Sequence, residues 1–499
     1  MDPYKKLMAR YKEYTILRNA NGILHWDFEV IMPKKGAQQR AEELAMLSGI
    51  IHEKSTDPAI GKLLTEVTSH AKYADLSPIE KRNVELLQRD YEKTAKIPVE
   101  FAKELTKHGA IATDSWKKAK NKSDFSIFKK DLAKMIDLMK KQANYFDSEK
   151  DPYDVLLSHY EYGFNKKIYD KIFTEAKAGL VPIIKAIADS PNQPDDSLIL
   201  RKCPVDIQRK VMHDIAKLVH YDFEGGRIDE AVHPFTGGYY DDVRITVKYY
   251  PEDFTPAFYA ALHEAGHGIY EQNFPPEYKY LPIGQSSSSA MHEGQARFIE
   301  NIIGRSNEFW EFYLPRFKEL TGKIFQDVEL KPFIHAVNKV SPTKIRIHAD
   351  PVTYSMHIIL RYEIEKDIFD EKITVDEIPE VWNQKMMDYL GVEIKNDAEG
   401  CLQDTHWAWQ YFAYFPTYAL GSYYNAQFVS QLTKDIPEWK NEIRTGKIST
   451  IHNWLNKNIR NKGGLLDPLD MVKDITGQEF SAKFFIERTK EKYSEIYGL

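Results

Sequence analysis

Hydrophobic residues recur at helical intervals along the N-terminal part of the chain. In residues 36–55 and again in residues 124–146, they fall three or four positions apart. Such spacing places apolar side chains on one face of an amphipathic helix. The residues on these two faces are Ala41, Leu44, Ala45, Leu47, Phe128, Leu132, Met135, Ile136 and Met139. The pattern predicts that residues 1 to about 185 are helical almost throughout.

A loop interrupts this pattern at residues 188–199, where two prolines accompany Asp, Ser and Asn. This composition is typical of a connection between elements. The chain is predicted to form a single domain, 1–499, and the loop is a candidate boundary between an N-terminal helical subdomain, 1–195, and a second subdomain, 196–499.

The pattern becomes strand-like in residues 232–250. Gly237 and Gly238 mark a turn there, and apolar and polar residues alternate from Asp242 to Tyr250. We predict a small antiparallel sheet at this point, with helices from residue 255 onwards. The predicted fold class is therefore mainly α, with one minor sheet.

Composition excludes several classes of function. The formal net charge of -6 leaves no basic excess for binding nucleic acid. No stretch approaches the roughly 20 apolar residues of a membrane span, and the first residues lack the apolar run of a signal peptide. The 2 cysteines cannot form a disulfide framework and fit a reducing cytosol. Aromatic residues make up 13% of the chain, which suits a long, wet groove as well as a core.

The segment ALHEAGHGIY, residues 261–270, carries the first candidate chemistry. Thr255 is predicted to cap its helix, with Pro256 at the first helical position. His263 and His267 then lie about 40° apart on one face of the helix, close enough to share a metal ion. Glu264 lies beside them, where it can reach a water on the metal without being a ligand. This arrangement is typical of zinc hydrolases.

A catalytic zinc needs a third protein ligand and an open position. The downstream candidates are Glu271, Glu277, His292, Glu293 and Glu300. Glu271 shares the helix of both histidines, and three ligands on one straight helix would diverge. A second helix is predicted in residues 286–305, between a serine cap and Gly304. Glu293 lies in its first turn and is chosen as the third ligand, with His292 as second choice.

Seven short motifs follow one another along the chain. They are HPF (233–235), DVRIT (242–246), HEAGH (263–267), HEGQARFIEN (292–301), IRIHAD (345–350), GCLQDTHW (400–407) and YFPTYALG (414–421). These motifs and their order resemble those of the carboxypeptidase Taq family of metallocarboxypeptidases. HWDFEVIMPKKGAQQRAEELA and YDVLLSHYEYGF, nearer the N-terminus, are also similar to family segments.

The resemblance implies a cytosolic homodimer, mostly helical, with a long deep groove. It implies one divalent metal, usually Zn²⁺ with Co²⁺ able to substitute, held by His263, His267 and Glu293. It also implies release of single C-terminal amino acids from peptides, with broad specificity and poor tolerance of proline. Glu264 matches the catalytic glutamate.

The chain departs from the family pattern at three places. Ala413 stands where Gly is common, YEYGF replaces the more usual Tyr-Glu-Pro-Gly-Met, and Pro351 follows Asp350 where an acidic residue is common. None is a predicted metal ligand. Asp350 and Pro351 instead resemble a helix cap followed by a first helical residue.

Further roles are assigned around this motif set. Glu264 is expected to take the proton of a zinc-activated water and pass it to the leaving amine. Tyr418, in the aromatic cluster 411–418, is the candidate oxyanion donor, although such tyrosines are often packing residues. Arg346 is the candidate partner of the substrate carboxylate, with His406 as helper.

Some assignments stay open at this point. His233 is a further candidate substrate contact, while Gln403 and Asp404 either orient ligands and substrate or stabilise the fold. One alternative function is an oligopeptidase or dipeptidyl carboxypeptidase of a related helical zinc-peptidase fold. Another is a non-catalytic helical scaffold that keeps its metal for stability, although such a site has no need of Glu264.

Overall fold

The protein is built almost entirely of helices. The computed structural model describes residues 2–69 and 73–499. Its α-helices are α1 (Pro3–Val30), α2 (Ala37–Thr56), α3 (Pro58–Ser69), α4 (Pro78–Ala95), α5 (Val99–Lys122), α6 (Ser126–Phe146), α7 (Pro152–Tyr160), α8 (Lys166–Asp189), α9 (Val205–Leu218), α10 (Thr255–Gln272), α11 (Ser289–Arg297), α12 (Asn307–Thr321), α13 (Leu330–Val337), α14 (Tyr354–Phe369), α15 (Ile378–Leu390), α16 (Phe415–Asp435), α17 (Trp439–Arg444), α18 (Ser449–Asn458), α19 (Pro468–Thr476) and α20 (Lys483–Tyr497). A π-helix, Phe298–Ile303, continues α11. The mainly α fold class is confirmed.

One small sheet precedes α10, as predicted. Its strands are β1 (Gly226–Glu230), β2 (Thr236–Tyr239) and β3 (Asp242–Val247), in the order β1-β3-β2. β2 pairs antiparallel with β3, but β1 pairs parallel with it, so the sheet is mixed and not wholly antiparallel. The reason is topological: the tight turn after β2 returns the chain between β1 and β2, which restores the direction of β1.

The helix that carries HEAGH begins one residue away from the predicted cap. Thr255 is its first residue, and the Thr255 N–H and hydroxyl both donate to Oδ1 of Asp253, at 2.9 and 2.6 Å. Asp253 therefore satisfies the helix start in place of Thr255. Pro256 lies in the first turn, as expected.

Close helix packing brings the motif helices together. A Cβ atom on Gly266 of α10 would lie only 2.6 Å from Cα of Ala296 on α11. Likewise, a Cβ atom on Gly421 of α16 would lie 2.9 Å from the backbone nitrogen of Gly294. Side chains at either glycine would force these helices apart. Gly266 therefore fixes the separation of the two helices that carry the predicted ligands, and Gly421 fixes the distance of α16 from α11.

Two hydrophobic clusters stabilise the described residues. The larger one includes side chains on both sides of the 188–199 loop, and the smaller one joins α1, α3 and α4. The subdomain boundary at residue 195 stays a prediction. None of the helices in residues 2–69 and 73–499 has the combination of length and apolarity needed to cross a membrane.

Candidate metal and active site

Two imidazole nitrogens and one carboxylate oxygen converge between α10 and α11. Nε2 of His263 lies 3.6 Å, and Nε2 of His267 3.5 Å, from Oε2 of Glu293. A tetrahedral ion with bonds of about 2.0–2.2 Å separates its ligand atoms by about 3.3–3.6 Å. The spacing therefore fits one divalent metal. Within the described residues, this is the one group of three or more His, Cys, Asp and Glu side chains close enough to share an ion.

Charged neighbours orient two of the three candidate metal ligands, His263 and Glu293. Nδ1 of His263 lies 2.9 Å from Oε2 of Glu300, and Nε of Arg297 donates to Oε1 of Glu293 at 2.6 Å. Oε2 of Glu293 is thereby left facing the histidines. Burial opposes ionisation of Glu293, but Arg297 and His263 outweigh burial and hold its pKa well below the usual range. The group is thus a carboxylate, the form that binds metal.

Glu264 is placed for proton transfer beside these donors. It is only 7% exposed, and its Oε2 accepts a hydrogen bond from the Thr236 hydroxyl at 2.6 Å. Burial raises the pKa of Glu264, an effect that His263 and the Thr236 hydrogen bond partly oppose. A carboxyl group with a raised pKa can take up and release a proton more readily near neutral pH.

The two remaining candidates on this wall pair with each other. Nε2 of His292 lies 3.0 Å from Oε1 of Glu271. The His292 ring stacks on that of His267, with 4.5 Å between centroids. His292 therefore supports a predicted ligand, in keeping with its place as second choice behind Glu293.

A groove of about 1020 Å³ runs past His267 and Glu293. Its other walls come from the N-terminal helices α1–α4, from the end of α7 and from α16. Tyrosines are frequent in the lining, and their rings combine an apolar face with a polar hydroxyl that suits a solvated groove. The lining tyrosines are Tyr11, Tyr14, Tyr91, Tyr160, Tyr162, Tyr414 and Tyr418.

Tyr418 lies at the groove end of α16. Its hydroxyl is 3.3 Å from Nε2 of His406, and Tyr414 packs edge-on against it with 5.1 Å between centroids. Burial, with the neighbouring tyrosines, raises the Tyr418 pKa, so the hydroxyl keeps its proton. Burial also lowers the pKa of His406 to about 4, against the pull of Asp404, which leaves a neutral ring beside Tyr418.

Arg346 is engaged by the protein in this structure. Its Nε and one terminal nitrogen lie 3.2 and 2.9 Å from Oδ1 of Asp404, while the other terminal nitrogen donates to the Tyr354 hydroxyl at 2.9 Å. Its guanidinium carbon lies 5.1 Å from the centroid of the Tyr418 ring. Arg346 is thus beside Tyr418 but not in the groove lining. Its assignment to the substrate carboxylate stays a prediction.

Asp404 joins two buried arginines. Its Oδ2 accepts from Nε of Arg361 at 2.8 Å, and Arg361 is 0% exposed. Gln403 adds a second link, since its Oε1 accepts from the Arg346 N–H at 2.9 Å and from Arg361 at 2.8 Å. These bonds hold the IRIHAD and GCLQDTHW motifs together. Gln403 and Asp404 were predicted either to orient ligands and substrate or to stabilise the fold. These contacts support the second role.

His357, beside this arginine cluster, is expected to make the stability of the protein depend on pH. Neither ring nitrogen has a hydrogen-bond partner among the described residues, and burial, with Arg361 and Arg346, lowers its pKa to about 3. The unfolded chain binds this proton below about pH 6.5, so stability is present above that pH and is lost as pH falls. Between pH 7 and 5 the loss is expected to be about 2 kcal/mol.

The His357→Leu variant should remove that pH dependence. Its free energy of unfolding, measured in urea at pH 7, 6 and 5, should fall less steeply with decreasing pH than that of the wild type. The difference between the two slopes corresponds to at most one bound proton. A matched loss of stability in both proteins over this range would contradict the assignment.

The side chains that support the site are only partly visible in the sequence. Sequence patterns point to Glu300 only as a ligand and do not single out Arg297 or Thr236. Helical spacing does indicate that Arg297 and Glu300 lie near Glu293, because positions four and seven after a residue share its face of a helix. Thr236 contacts Glu264 only through the fold of β2 against α10.

Glu300 supplies a test of this supporting layer. The Glu300→Gln variant is expected to bind metal about 10–100-fold more weakly, because it loses the carboxylate that orients His263. Competition with a chelator measures the affinity. Glu271→Gln is the matched control on the neighbouring wall and should keep the wild-type affinity. Equal affinity of Glu300→Gln and wild type would contradict the role.

Three other sequence features have structural counterparts. His233 is exposed in the β1–β2 connection and does not line the groove, so its role stays a prediction. Ala413 has a φ of 62°, a left-handed conformation that explains why glycine is common there. Asp350 accepts from the Val352 and Thr353 N–H groups, but α14 begins only at Tyr354.

Comparison with known proteins agrees with this geometry. The family model described as carboxypeptidase Taq (M32) metallopeptidase matches residues 6–493. Carboxypeptidase 1 of Bacillus subtilis is 38% identical over 494 residues, covering 99% of this chain and 98% of that protein. Thermostable carboxypeptidase 1 of Thermus thermophilus is 34% identical over 505 residues, covering 99% of each.

Solved structures give the same result. The M32 carboxypeptidase of Deinococcus radiodurans superposes with a TM-score of 0.96 at 30% identity, covering 100% of both chains. Metallocarboxypeptidase 1 of Trypanosoma cruzi superposes with a TM-score of 0.92 at 32% identity, covering 99% of both. The family resemblance read from the motifs is confirmed, and this chain belongs to the carboxypeptidase Taq (M32) family of metallopeptidases.

Proposed function

We propose that this metallocarboxypeptidase releases single amino acids stepwise from the free C-termini of peptides, with broad specificity and poor tolerance of proline. The observation that carries the proposal is the convergence of His263, His267 and Glu293 beside Glu264, next to a groove of about 1020 Å³. Such a groove has room for an extended peptide, and the donor set suits metal-assisted hydrolysis.

The metal in this proposal is Zn²⁺, with Co²⁺ able to substitute. Two imidazole nitrogens and one carboxylate oxygen are the donor set of catalytic zinc sites that keep an open position. The chemistry that a divalent metal supplies in such a site is to acidify water and to polarise a carbonyl group.

The residues of the chain then move protons and stabilise charge. Glu264 takes the proton from the attacking water and passes it to the amine of the departing residue. The Thr236 hydroxyl, 2.6 Å from Oε2 of Glu264, holds the carboxylate in position for both transfers. Tyr418 donates its hydroxyl hydrogen to the oxyanion that forms on the scissile carbonyl, and neutral His406 orients that hydroxyl.

Tyr418→Phe is expected to lower kcat about 10²-fold with a smaller change in KM, because a donor to the oxyanion acts mainly in the transition state. Steady-state kinetics on one peptide series measures both constants. Tyr414→Phe removes a neighbouring hydroxyl in the same groove and serves as the matched control. If Tyr414→Phe loses activity and Tyr418→Phe does not, the donor is Tyr414.

Recognition of the chain end completes the proposal. Arg346, helped by His406, binds the substrate carboxylate after exchanging one of its present contacts, and His233 is a further contact from the β1–β2 connection. The support is that a guanidinium matches a carboxylate, and that Arg346 already lies against Tyr418. A cytosolic homodimer, as the family resemblance implies, belongs to this proposal and is tested by the mass of the protein in solution and by cell fractionation.

A pentapeptide digest tests the reaction directly. Single residues should appear one after another from the C-terminus, and a C-terminally amidated peptide should be cleaved much more slowly. Dipeptides or internal fragments would instead support an oligopeptidase or dipeptidyl carboxypeptidase. No cleavage by the metal-loaded protein would support the scaffold alternative.

A further inference from the structure

A second cavity lies behind the Glu293 helix, between the π-helix, the segment before α14, α16 and α20. We call it the basic cavity; its volume is about 50 Å³, and among the described residues it shares no lining side chain with the groove. Arg297 links the two regions, since it lines the basic cavity and donates to Glu293. The volume of the cavity is large enough to hold one small molecule or ion.

The lining of the basic cavity is strongly positive. Four cationic side chains contribute to it, Arg297, Arg305, Arg488 and Lys492, and no carboxylate of the described residues does. Arg297 pairs with Glu293 at 2.6 Å, and Arg305 lies 3.8 Å from Glu300.

The remaining two cations have no carboxylate in direct contact, although Glu308 attracts both of them at longer range. Within residues 2–69 and 73–499, no carboxylate oxygen lies within 4.0 Å of the charged nitrogens of Arg488 or Lys492, although Lys492 donates to the backbone oxygen of Arg305 at 2.8 Å. Burial, with Arg488 and Arg305, pushes the Lys492 pKa well below its usual range. Burial and the crowding of like charges therefore disfavour the charged forms of these side chains, and a bound anion offsets part of that cost.

Hydrogen-bonding capacity is also unused around the cavity. Nε of Arg305 is shielded from solvent and has no partner among the described residues. Guanidinium groups present several N–H donors in a geometry that matches the oxygens of a tetrahedral anion. The chemistry of the lining is thus that of a receptor for an oxyanion.

We propose that the basic cavity binds one small inorganic oxyanion of the sulfate or phosphate class, held by Arg305, Arg488 and Lys492. Its negative charge offsets the positive charge of the lining. By cross-linking α20 to the segment between the π-helix and α12, the bound anion stabilises the packing behind Glu293 and makes the stability of the protein depend on anion concentration.

Titration of the metal-loaded, full-length protein with sodium sulfate tests the proposal. Sodium chloride at equal ionic strength is the reference salt. We expect saturable one-to-one binding by calorimetry and a rise in Tm of roughly 2–4 °C at about a hundredfold excess over Kd. No saturable heat, with the same Tm in both salts, would overturn the proposal.

Two variants on α20 locate the effect. Arg488→Gln should weaken sulfate binding at least tenfold, whereas Lys490→Gln, at an exposed position of the same helix, should bind as the wild type does. Equal binding by both variants would place the anion elsewhere. A crystal of the wild type soaked in sodium selenate gives an independent test if Arg488→Gln does not fold: an anomalous peak inside the basic cavity is expected, and peaks only at other places would overturn the assignment.

Discussion

Glu264→Gln is expected to lower kcat by about 10²–10⁴-fold while the protein keeps its metal. The substitution preserves the shape of the side chain but removes the group that accepts the proton of the attacking water. Glu264 is not among the three converging donors, so the metal content should equal that of the wild type. Kinetics on a peptide substrate and elemental analysis of the same preparation measure the two quantities.

Glu271→Gln is the matched control for this variant. Glu271 lies on the same helix and lines the groove, but its carboxylate pairs with His292 and is not part of the converging donor set. It should keep most of the activity. If Glu264→Gln were as active as Glu271→Gln, the proton would move through another group. If Glu264→Gln lost its metal, Glu264 would be a ligand.

Asp404→Asn is expected to lower the free energy of unfolding by about 3–5 kcal/mol, because it leaves two buried guanidinium groups without their shared carboxylate. The side chains concerned are only 0%, 9% and 11% exposed for Arg361, Arg346 and Asp404. Solvent therefore screens the loss poorly. Urea unfolding at pH 7 measures it.

The pH dependence of Asp404→Asn has a definite sign. Burial raises the Asp404 pKa, but Arg361 and Arg346 outweigh burial and depress it well below the usual range. The stabilisation is therefore complete above about pH 4 and is lost as pH falls below that value. The gap between wild type and variant should be constant from pH 5 to 7.

Glu399→Gln is the control for Asp404→Asn. Its ion pair with Lys344 is a third exposed, at 37% and 32%, so solvent screens it and the substitution should cost much less stability than Asp404→Asn. If both variants lost a similar amount of stability, the buried cluster would contribute no more than an ordinary surface ion pair.

Local patterns were enough to predict much of the site. Helical spacing put His263 and His267 on one face, and the serine cap before α11 put Glu293 near the start of a second helix. Ser288 does accept the Met291 N–H, at 3.0 Å, although Glu293 lies just beyond the first turn of α11. These are features of one helix at a time. The mainly α fold and the small sheet followed from hydrophobic periodicity in the same way.

Contacts between distant segments were not predictable. The parallel pairing of β1 with β3 depends on which strand occupies the centre of the sheet, and alternation of residues does not encode that. Arg346 was assigned to the substrate carboxylate because a guanidinium matches a carboxylate and its motif resembles the family's; nothing local indicated that Asp404, 58 positions later, engages it. The contact of Thr236 with Glu264 likewise joins a strand to a helix.

Anomalous diffraction at the zinc edge, from crystals of the zinc-loaded protein, tests whether His263, His267 and Glu293 hold the metal. One peak is expected at about 2.0–2.2 Å from Nε2 of each histidine and from Oε2 of Glu293. A peak held by His292 and Glu271, or none between α10 and α11, would contradict this ligand set.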